Sequence, residues 1–171
     1  LPERLAQVRE HIGAETLDYT SDDIGEALLE ATGGRGPDVC IEAVGMEAHS
    51  TGPDYVVDQV KQQLRLQTGR PTALRQAIYH CRKGGSLFVL GVFALAVDHF
   101  PIGAVMNKGL TLRGSQMHGP RYIPMLLDRM AKGELVTDHL ATHVMPLGQG
   151  ELGYELFKTK QDGCVRAVFL P

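Results

Sequence analysis

The reactive side chains of this sequence are spread along it and form no recognisable catalytic or metal-binding motif. The three cysteines, Cys40, Cys81 and Cys164, lie far apart without a CxxC pair, and their odd number fits no disulfide framework. No group of Cys, His, Asp or Glu has the spacing of zinc ligands. The residues therefore predict no catalytic site and no metal site, and they predict buried thiols in a reducing compartment.

Three other polar residues lie within or near the ends of predicted strands, where they could hydrogen-bond or relay protons. Glu42 falls within an apolar run, where a buried carboxylate needs a partner, and we expect it to hydrogen-bond to neighbouring backbone. His49 and His118 are the histidines nearest the ends of predicted strands, and an imidazole can relay protons near neutral pH. We expect both histidines to be solvated loop residues all the same.

A sheet of strands must position these residues, and the hydrophobic pattern predicts where the strands are. Compact apolar runs bounded by turn residues predict buried strands at Asp38–Gly45 and Ser86–Gly91. An alternating run at Leu110–Ser115 predicts a strand nearer the sheet edge. Further extended segments are predicted at Glu15–Tyr19, Leu140–Met145 and Cys164–Leu170.

Helical patterns separate these strands, which favours an α/β sheet with mostly parallel strands. One helix starts the chain and ends at Gly13, and another is capped by Ser21, Asp22 or Asp23. The other predicted helices cover about Asp54–Arg82, with a break at Arg65–Thr72, then Pro120–Lys132 and Gln149–Thr159.

Composition and charge exclude several classes of protein. Lys and Arg number 17 against 20 Asp and Glu, and a net charge of −3 gives no reason to expect nucleic acid or an anionic membrane as partner. No apolar run is long enough to span a membrane, and the first residues lack the features of a signal peptide. We therefore expect a cytoplasmic protein.

Four short strings, in this order, carry a resemblance to a known family. They are Glu42–His49 (EAVGMEAH), Cys81–Gly85 (CRKGG), Asn107–Thr111 (NKGLT) and Gln161–Arg166 (QDGCVR). Together with the long insertion after His49, they resemble the zinc-dependent, medium-chain alcohol dehydrogenase family, most closely its formaldehyde-dehydrogenase-like branch. The resemblance runs from the first residue to the last.

The resemblance implies that this chain is the carboxy-terminal, cofactor-side half of such an enzyme. The expected fold is α/β, a partial Rossmann-type, doubly wound and mostly parallel sheet that lacks its first βαβ unit and has a carboxy-terminal return segment. Residues 1–135 would be the incomplete NAD-binding domain and 136–171 the segment returning toward the catalytic domain. The GxGxxG turn is absent, and the family's zinc ligands belong to its upstream domain.

The resemblance also implies a set of cofactor-binding residues. Arg4 would approach the adenosine ribose, and Arg166 would reach the pyrophosphate, whose oxygens suit a bidentate guanidinium. The remaining residues follow three strands and would pass backbone beside the adenine, the nicotinamide ribose and the nicotinamide: Ala43, Val44 and Gly45, then Gly91 and Val92, then Ser115, Gln116 and Met117.

The implied activity is hydride transfer from an alcohol or aldehyde adduct to the nicotinamide of NAD or NADP, with zinc bound by the intact family member and not by this chain. We expect the isolated chain to be inactive and homo-oligomeric. The substrate and the choice between NAD and NADP stay open. The alternatives are a non-catalytic α/β module with weak or no nucleotide binding, and a methyltransferase-like domain, which the missing glycine-rich turn disfavours.

Overall fold

A computed structural model describes residues 1–45, 71–93, 97 and 99–171 of the chain. The described helices are α1 (Pro2–Ile12), α2 (Ile24–Ala31), α3 (Thr72–His80), α4 (Ile102–Lys108), α5 (Gly119–Ala131) and α6 (Gly150–Thr159). The described strands are β1 (Val39–Glu42), β2 (Ser86–Val89), β3 (Thr111–Gly114), β4 (His143–Pro146) and β5 (Ala167–Leu170). Short 3-10 helices cover Asp138–Leu140 and Leu147–Gln149.

These elements form two compact units. The sheet unit is Tyr19–Met117, and the terminal unit combines Leu1–Asp18 with His118–Pro171. The predicted division into residues 1–135 and 136–171 concerns the family's domains and stays a prediction.

The sheet unit contains a parallel sheet with the strand order β1, β2, β3. Glu42 pairs with Val89, and Val89 pairs with Gly114, so the three strands end side by side. Parallel neighbours joined by helices confirm the predicted α/β class, and the order corresponds to strands four, five and six of a Rossmann sheet.

Helix α3 packs its apolar face on this sheet. Leu74 and Ile78 are four residues apart, which places them on one face of the helix, and both are buried with Leu87 of β2. Ile78 and Leu87 are fully buried in this cluster, so the core of the sheet unit lies between α3 and the middle strand.

Two predicted helix ends are confirmed in detail. Gly13 ends α1 in the left-handed conformation with a φ of 69°, and its N–H donates to the carbonyl of Arg9. Asp23 begins α2, where its side-chain oxygen accepts the N–H of Glu26 at 3.0 Å.

Lys108, the last residue of α4, is attached to the end of α3. Its Nζ donates to the carbonyls of Ile78 at 3.2 Å and Cys81 at 2.8 Å, and also to that of Tyr79. The last carbonyls of a helix lack partners within it, and a cation near them also suits the helix dipole. Lys108 therefore holds two helices of the sheet unit together.

The terminal unit has its own parallel pair of strands. β4 pairs with β5 from His143 with Ala167 to Pro146 with Leu170, and α6 is the connection between them. Gly153 of α6 is buried because the helix lies close to these strands. A Cβ at this position would be 2.6 Å from a ring carbon of Phe169 and 2.9 Å from the sulfur of Met145, so a larger residue would displace these side chains.

The extended segment predicted at Glu15–Tyr19 is not part of a sheet in the described structure. Residues 13–18 have no regular structure, and a turn begins at Tyr19. A strand needs a neighbour to receive its backbone hydrogen bonds, and no segment among the described residues lies beside this one as a strand. An extended sequence pattern was therefore not enough to form a strand here.

Other differences concern the middle of the chain. α3 confirms the end of the long helical stretch predicted at Asp54–Arg82, whereas residues 46–70 lie outside the described residues. α4 was not predicted, because it has only seven residues and starts directly after Pro101. None of the described helices combines the length and the apolar character needed to cross a membrane.

Candidate functional site

The carboxyl ends of the three parallel strands form the first candidate site, in the sheet unit. Because β1, β2 and β3 end in register, the residues that follow them leave the sheet at the same edge. Eight predicted site residues follow these ends: Ala43, Val44, Gly45, Gly91, Val92, Ser115, Gln116 and Met117. In open parallel sheets, ligands bind at this edge.

The segments after β1 and β2 approach each other so closely that glycine is required at two positions. A Cβ on Gly45 would lie 2.5 Å from the backbone nitrogen of Val92, and a Cβ on Gly91 would lie 2.2 Å from that of Gly45. Gly45 also has a φ of 67°, which other residues rarely adopt. The structure thus brings together two of the predicted backbone segments.

Glu42, the last residue of β1, is buried beneath these segments with 3% of its surface exposed. Its Oε1 accepts the N–H groups of Val44 at 2.8 Å and Gly45 at 2.6 Å. The expectation that Glu42 bonds to neighbouring backbone is therefore confirmed. Its Oε2 is also buried and has no hydrogen-bond partner in the described structure.

The third segment is more open. Ser115, Gln116 and Met117 are exposed, and the Oγ of Ser115 donates to the carbonyl of Gln116 at 2.9 Å. Met117 is 92% exposed and therefore takes no part in the core of the sheet unit. His118 is exposed just before α5, and His49 lies outside the described residues.

Arg4 and Arg166 form a second candidate site, in the terminal unit. Both line a pocket of about 460 Å³ together with the aromatic side chains of Tyr154, Phe157 and Phe169. Arg4 Nη2 donates to the carbonyl of Cys164 at 3.1 Å, which fixes its guanidinium. Two predicted phosphate and ribose contacts, far apart in sequence, thus share one pocket.

Sequence reasoning missed the aromatic wall of this pocket. Tyr154 and Phe157 are three residues apart on α6 and therefore share a face, and the Tyr154 ring lies 6.2 Å from the Phe169 ring, nearly parallel to it. The spacing on a predicted helix was visible, but nothing in the sequence indicated that this face would meet Phe169 of the last strand.

The surroundings of Cys40 and Asp38 in the sheet unit shift their pKa values in directions that suit structural roles rather than nucleophilic catalysis. Burial raises the pKa of the Cys40 thiol to about 11, and the neighbouring Cys81 thiol adds to this shift. A thiol with such a pKa stays protonated near neutral pH and is a poor nucleophile. Asp38 hydrogen-bonds to Arg82, and this bond and the Arg82 charge lower the pKa of the carboxyl below 3.8.

The part of the chain that the structure describes contains no group of three His, Cys, Asp or Glu side chains that could hold a metal ion. The described side chains therefore do not form a site that fits a zinc ion.

Comparison with known proteins bears on the identity of the chain. No protein-family model matches it. Over 150 residues it is 31% identical to an uncharacterised zinc-type alcohol dehydrogenase-like protein, AdhB, of Bacillus subtilis, covering 88% of this chain and 38% of that protein. The chain is thus similar to a zinc-type alcohol dehydrogenase-like protein over most of its own length and over less than half of that protein.

Solved structures of alcohol dehydrogenases share the fold. Alcohol dehydrogenase TADH from Thermus sp. ATN1 matches with a TM-score of 0.79 at 24% identity, over 100% of this chain and 42% of that one. A short chain alcohol dehydrogenase from E. coli, complexed with the cofactor NADH, matches with a TM-score of 0.75 at 18% identity, again over 100% and 42%. At these identities the comparison supports the fold alone.

This chain spans about two fifths of the length of the alcohol dehydrogenases it matches. The match to these longer proteins agrees with the predicted partial Rossmann-type fold. The formaldehyde-dehydrogenase branch is not confirmed by these relatives and stays a prediction.

Proposed function

We propose that this chain is the cofactor-side part of an NAD(P)-dependent, zinc-type alcohol dehydrogenase, and that its strand-end site and its arginine pocket each bind part of the dinucleotide. The observation that carries this proposal is the close backbone approach of Gly45 to Gly91 and Val92 at the carboxyl ends of adjacent parallel strands. The similarity to a zinc-type alcohol dehydrogenase-like protein over 88% of the chain supports it.

Two features fit the dinucleotide. At the strand ends, Gly45 and Gly91 let two backbone segments pack against each other at the edge where open parallel sheets bind ligands. In the terminal unit, Arg4 and Arg166 supply two guanidinium groups beside aromatic rings, which suits phosphate oxygens and a base. When bound, the nicotinamide would accept a hydride from an alcohol or aldehyde adduct.

The residues of this chain would bind and orient the cofactor rather than transfer protons or hold the metal. An alcohol or aldehyde is the proposed substrate of the whole protein, and formaldehyde adducts are the finer expectation from the resemblance. For the 171-residue chain alone we propose weak nucleotide binding and no turnover, since the resemblance assigns the zinc ligands and the glycine-rich turn to upstream residues.

Titration calorimetry of the chain with NAD tests this proposal. We expect binding much weaker than micromolar, weakened a further 10-fold or so by Arg166→Ala because a charge-assisted contact to phosphate is lost. Arg129→Ala, which removes an exposed arginine of α5 outside the pocket, is the matched control and should leave the affinity unchanged.

Three results would contradict the proposal or its residues. Sub-micromolar NAD binding that survives Arg166→Ala would remove Arg166 from the cofactor site. No detectable binding of either NAD or NADP would favour the non-catalytic module. Zinc-dependent reduction of NAD by the isolated chain, above a buffer control, would show that the expected inactivity is wrong.

A further inference from the structure

Glu42 has features that a simple sheet residue does not need. It is the last residue of β1, it is buried, and it lies directly under the turn formed by Ala43, Val44 and Gly45, which we call the β1 turn. Burying a carboxyl group is costly unless hydrogen bonds compensate for the lost water. Among the described residues, only one of its oxygens, Oε1, receives such bonds, and both come from the β1 turn.

These bonds determine which backbone groups the β1 turn presents on its other side. A trans peptide is planar, and its N–H and C=O groups point in opposite directions. The N–H of Val44 shares a peptide with the carbonyl of Ala43, and the N–H of Gly45 shares one with the carbonyl of Val44. Because both N–H groups point at Glu42, both carbonyls point away from it.

The second oxygen fits against the segment after β2. A Cβ on Gly91 would lie 2.3 Å from Glu42 Oε2, so the carboxyl occupies the space that a side chain at Gly91 would need. The N–H of Gly91 in turn donates to the backbone carbonyl of Glu42 at 3.0 Å. Glu42 thus contacts both of the closely approaching segments, and its Oε2 is the acceptor that has no partner among the described residues.

We propose that Glu42 is a positioning residue that makes this edge of the sheet select a ligand group that donates hydrogen bonds and exclude an anionic one. With its N–H groups engaged and an acidic group buried behind it, the β1 turn offers carbonyl acceptors. Amide NH2 and hydroxyl groups match these acceptors, whereas phosphate oxygens are themselves acceptors and need N–H donors. The proposal rests on the proposed function for one point, that NAD supplies the donor group.

Amide hydrogen exchange measured by NMR tests whether Glu42 holds the N–H groups of the β1 turn. Wild type is compared with Glu42→Ala, Glu42→Gln and Glu30→Ala, the last removing an exposed carboxyl of α2 in the same unit. In Glu42→Ala the Val44 and Gly45 N–H groups should exchange at least about 10-fold faster, because each loses its acceptor. Glu42→Gln keeps an oxygen that can accept both bonds, so it should restore the protection, and Glu30→Ala should change nothing.

Titrations followed at the Val44 and Gly45 resonances test the selection. In wild type, NAD should shift these resonances and inorganic pyrophosphate should not. In Glu42→Ala, NAD should bind about 10-fold more weakly, and pyrophosphate should now shift the freed N–H groups. Glu42→Gln should keep most of the NAD response. A residue that only stabilised the fold would not change the preference between these two probes.

The outcomes separate this proposal from the proposed function. Unchanged exchange in Glu42→Ala, or lost protection without any change in the response to NAD and pyrophosphate, would overturn the positioning role. If wild type ignores NAD while the exchange and pyrophosphate results are as expected, the proposed function fails and the positioning role stands. Should Glu42→Ala not fold, Glu42→Asp, which is one methylene shorter, is expected to lose the same protection and NAD affinity.

Discussion

At the scale of single residues, three charged side chains of the sheet unit bind backbone at the ends of secondary-structure elements. Glu42 binds the turn after β1, Asp23 binds the start of α2, and Lys108 binds the end of α3. Each satisfies backbone groups that the element itself leaves without partners. These three ionisable side chains therefore fix backbone geometry.

Asp38 gives a prediction about pH at this scale. Its folded pKa is lowered by Arg82, so the pair contributes stability above the unfolded pKa of 3.8, and this contribution is lost as pH falls through the folded pKa. We expect urea unfolding to show wild type slightly more stable than Asp38→Asn at pH near 6, with the difference vanishing toward pH near 3. Glu30→Gln is the exposed control. A difference that grows as the pH falls would contradict the direction of the shift.

At the scale of elements, local signals predicted each of the five described strands and every described α-helix except α4. The cap at Asp23 and the left-handed Gly13 are determined by neighbouring residues, so the sequence was sufficient for them. Glu15–Tyr19 has the local pattern of a strand but lacks a neighbour, and pairing cannot be read from a single segment.

The candidate sites show the same limit. The residues after each strand were predicted as ligand contacts because parallel strands end at one edge, which is a rule of topology. The close approach of Gly45 to Val92 and the pocket shared by Arg4 and Arg166 depend on tertiary packing. No spacing in the sequence reports such distances.

Lys108 provides the prediction at this scale. Lys108→Met keeps the aliphatic stem but leaves the carbonyls of Ile78 and Cys81 without the ammonium group. We expect the free energy of unfolding to fall by about 2 kcal/mol, the usual range for hydrogen bonds to a charged group. Lys132→Met, which removes an exposed lysine paired with Asp128, is the control and should cost less than about 1 kcal/mol. Equal effects in chemical denaturation would show that Lys108 does not hold α3 and α4 together.

At the scale of the whole molecule, the described sheet has two open edges. β1 and β3 each pair on one side only, and Val39 and Ile41 of β1 are 51% and 63% exposed. The resemblance implies further strands beside β1, because the expected fold lacks its first βαβ unit. Unpaired edges with apolar side chains attract other chains.

We therefore predict that the 171-residue chain self-associates through the β1 edge, the β3 edge or both. Ile41→Lys should weaken association at β1, and Leu112→Lys, at a 41% exposed position, should do so at β3, because a charged lysine on an edge strand resists pairing with a second chain. Leu29→Lys changes an equally apolar, exposed residue on α2 and should leave association unchanged. Light scattering and sedimentation at tens of micromolar would measure the effect. A stable wild-type monomer at that concentration would show the prediction wrong, and association unchanged in both edge variants would move the contact away from the sheet edges.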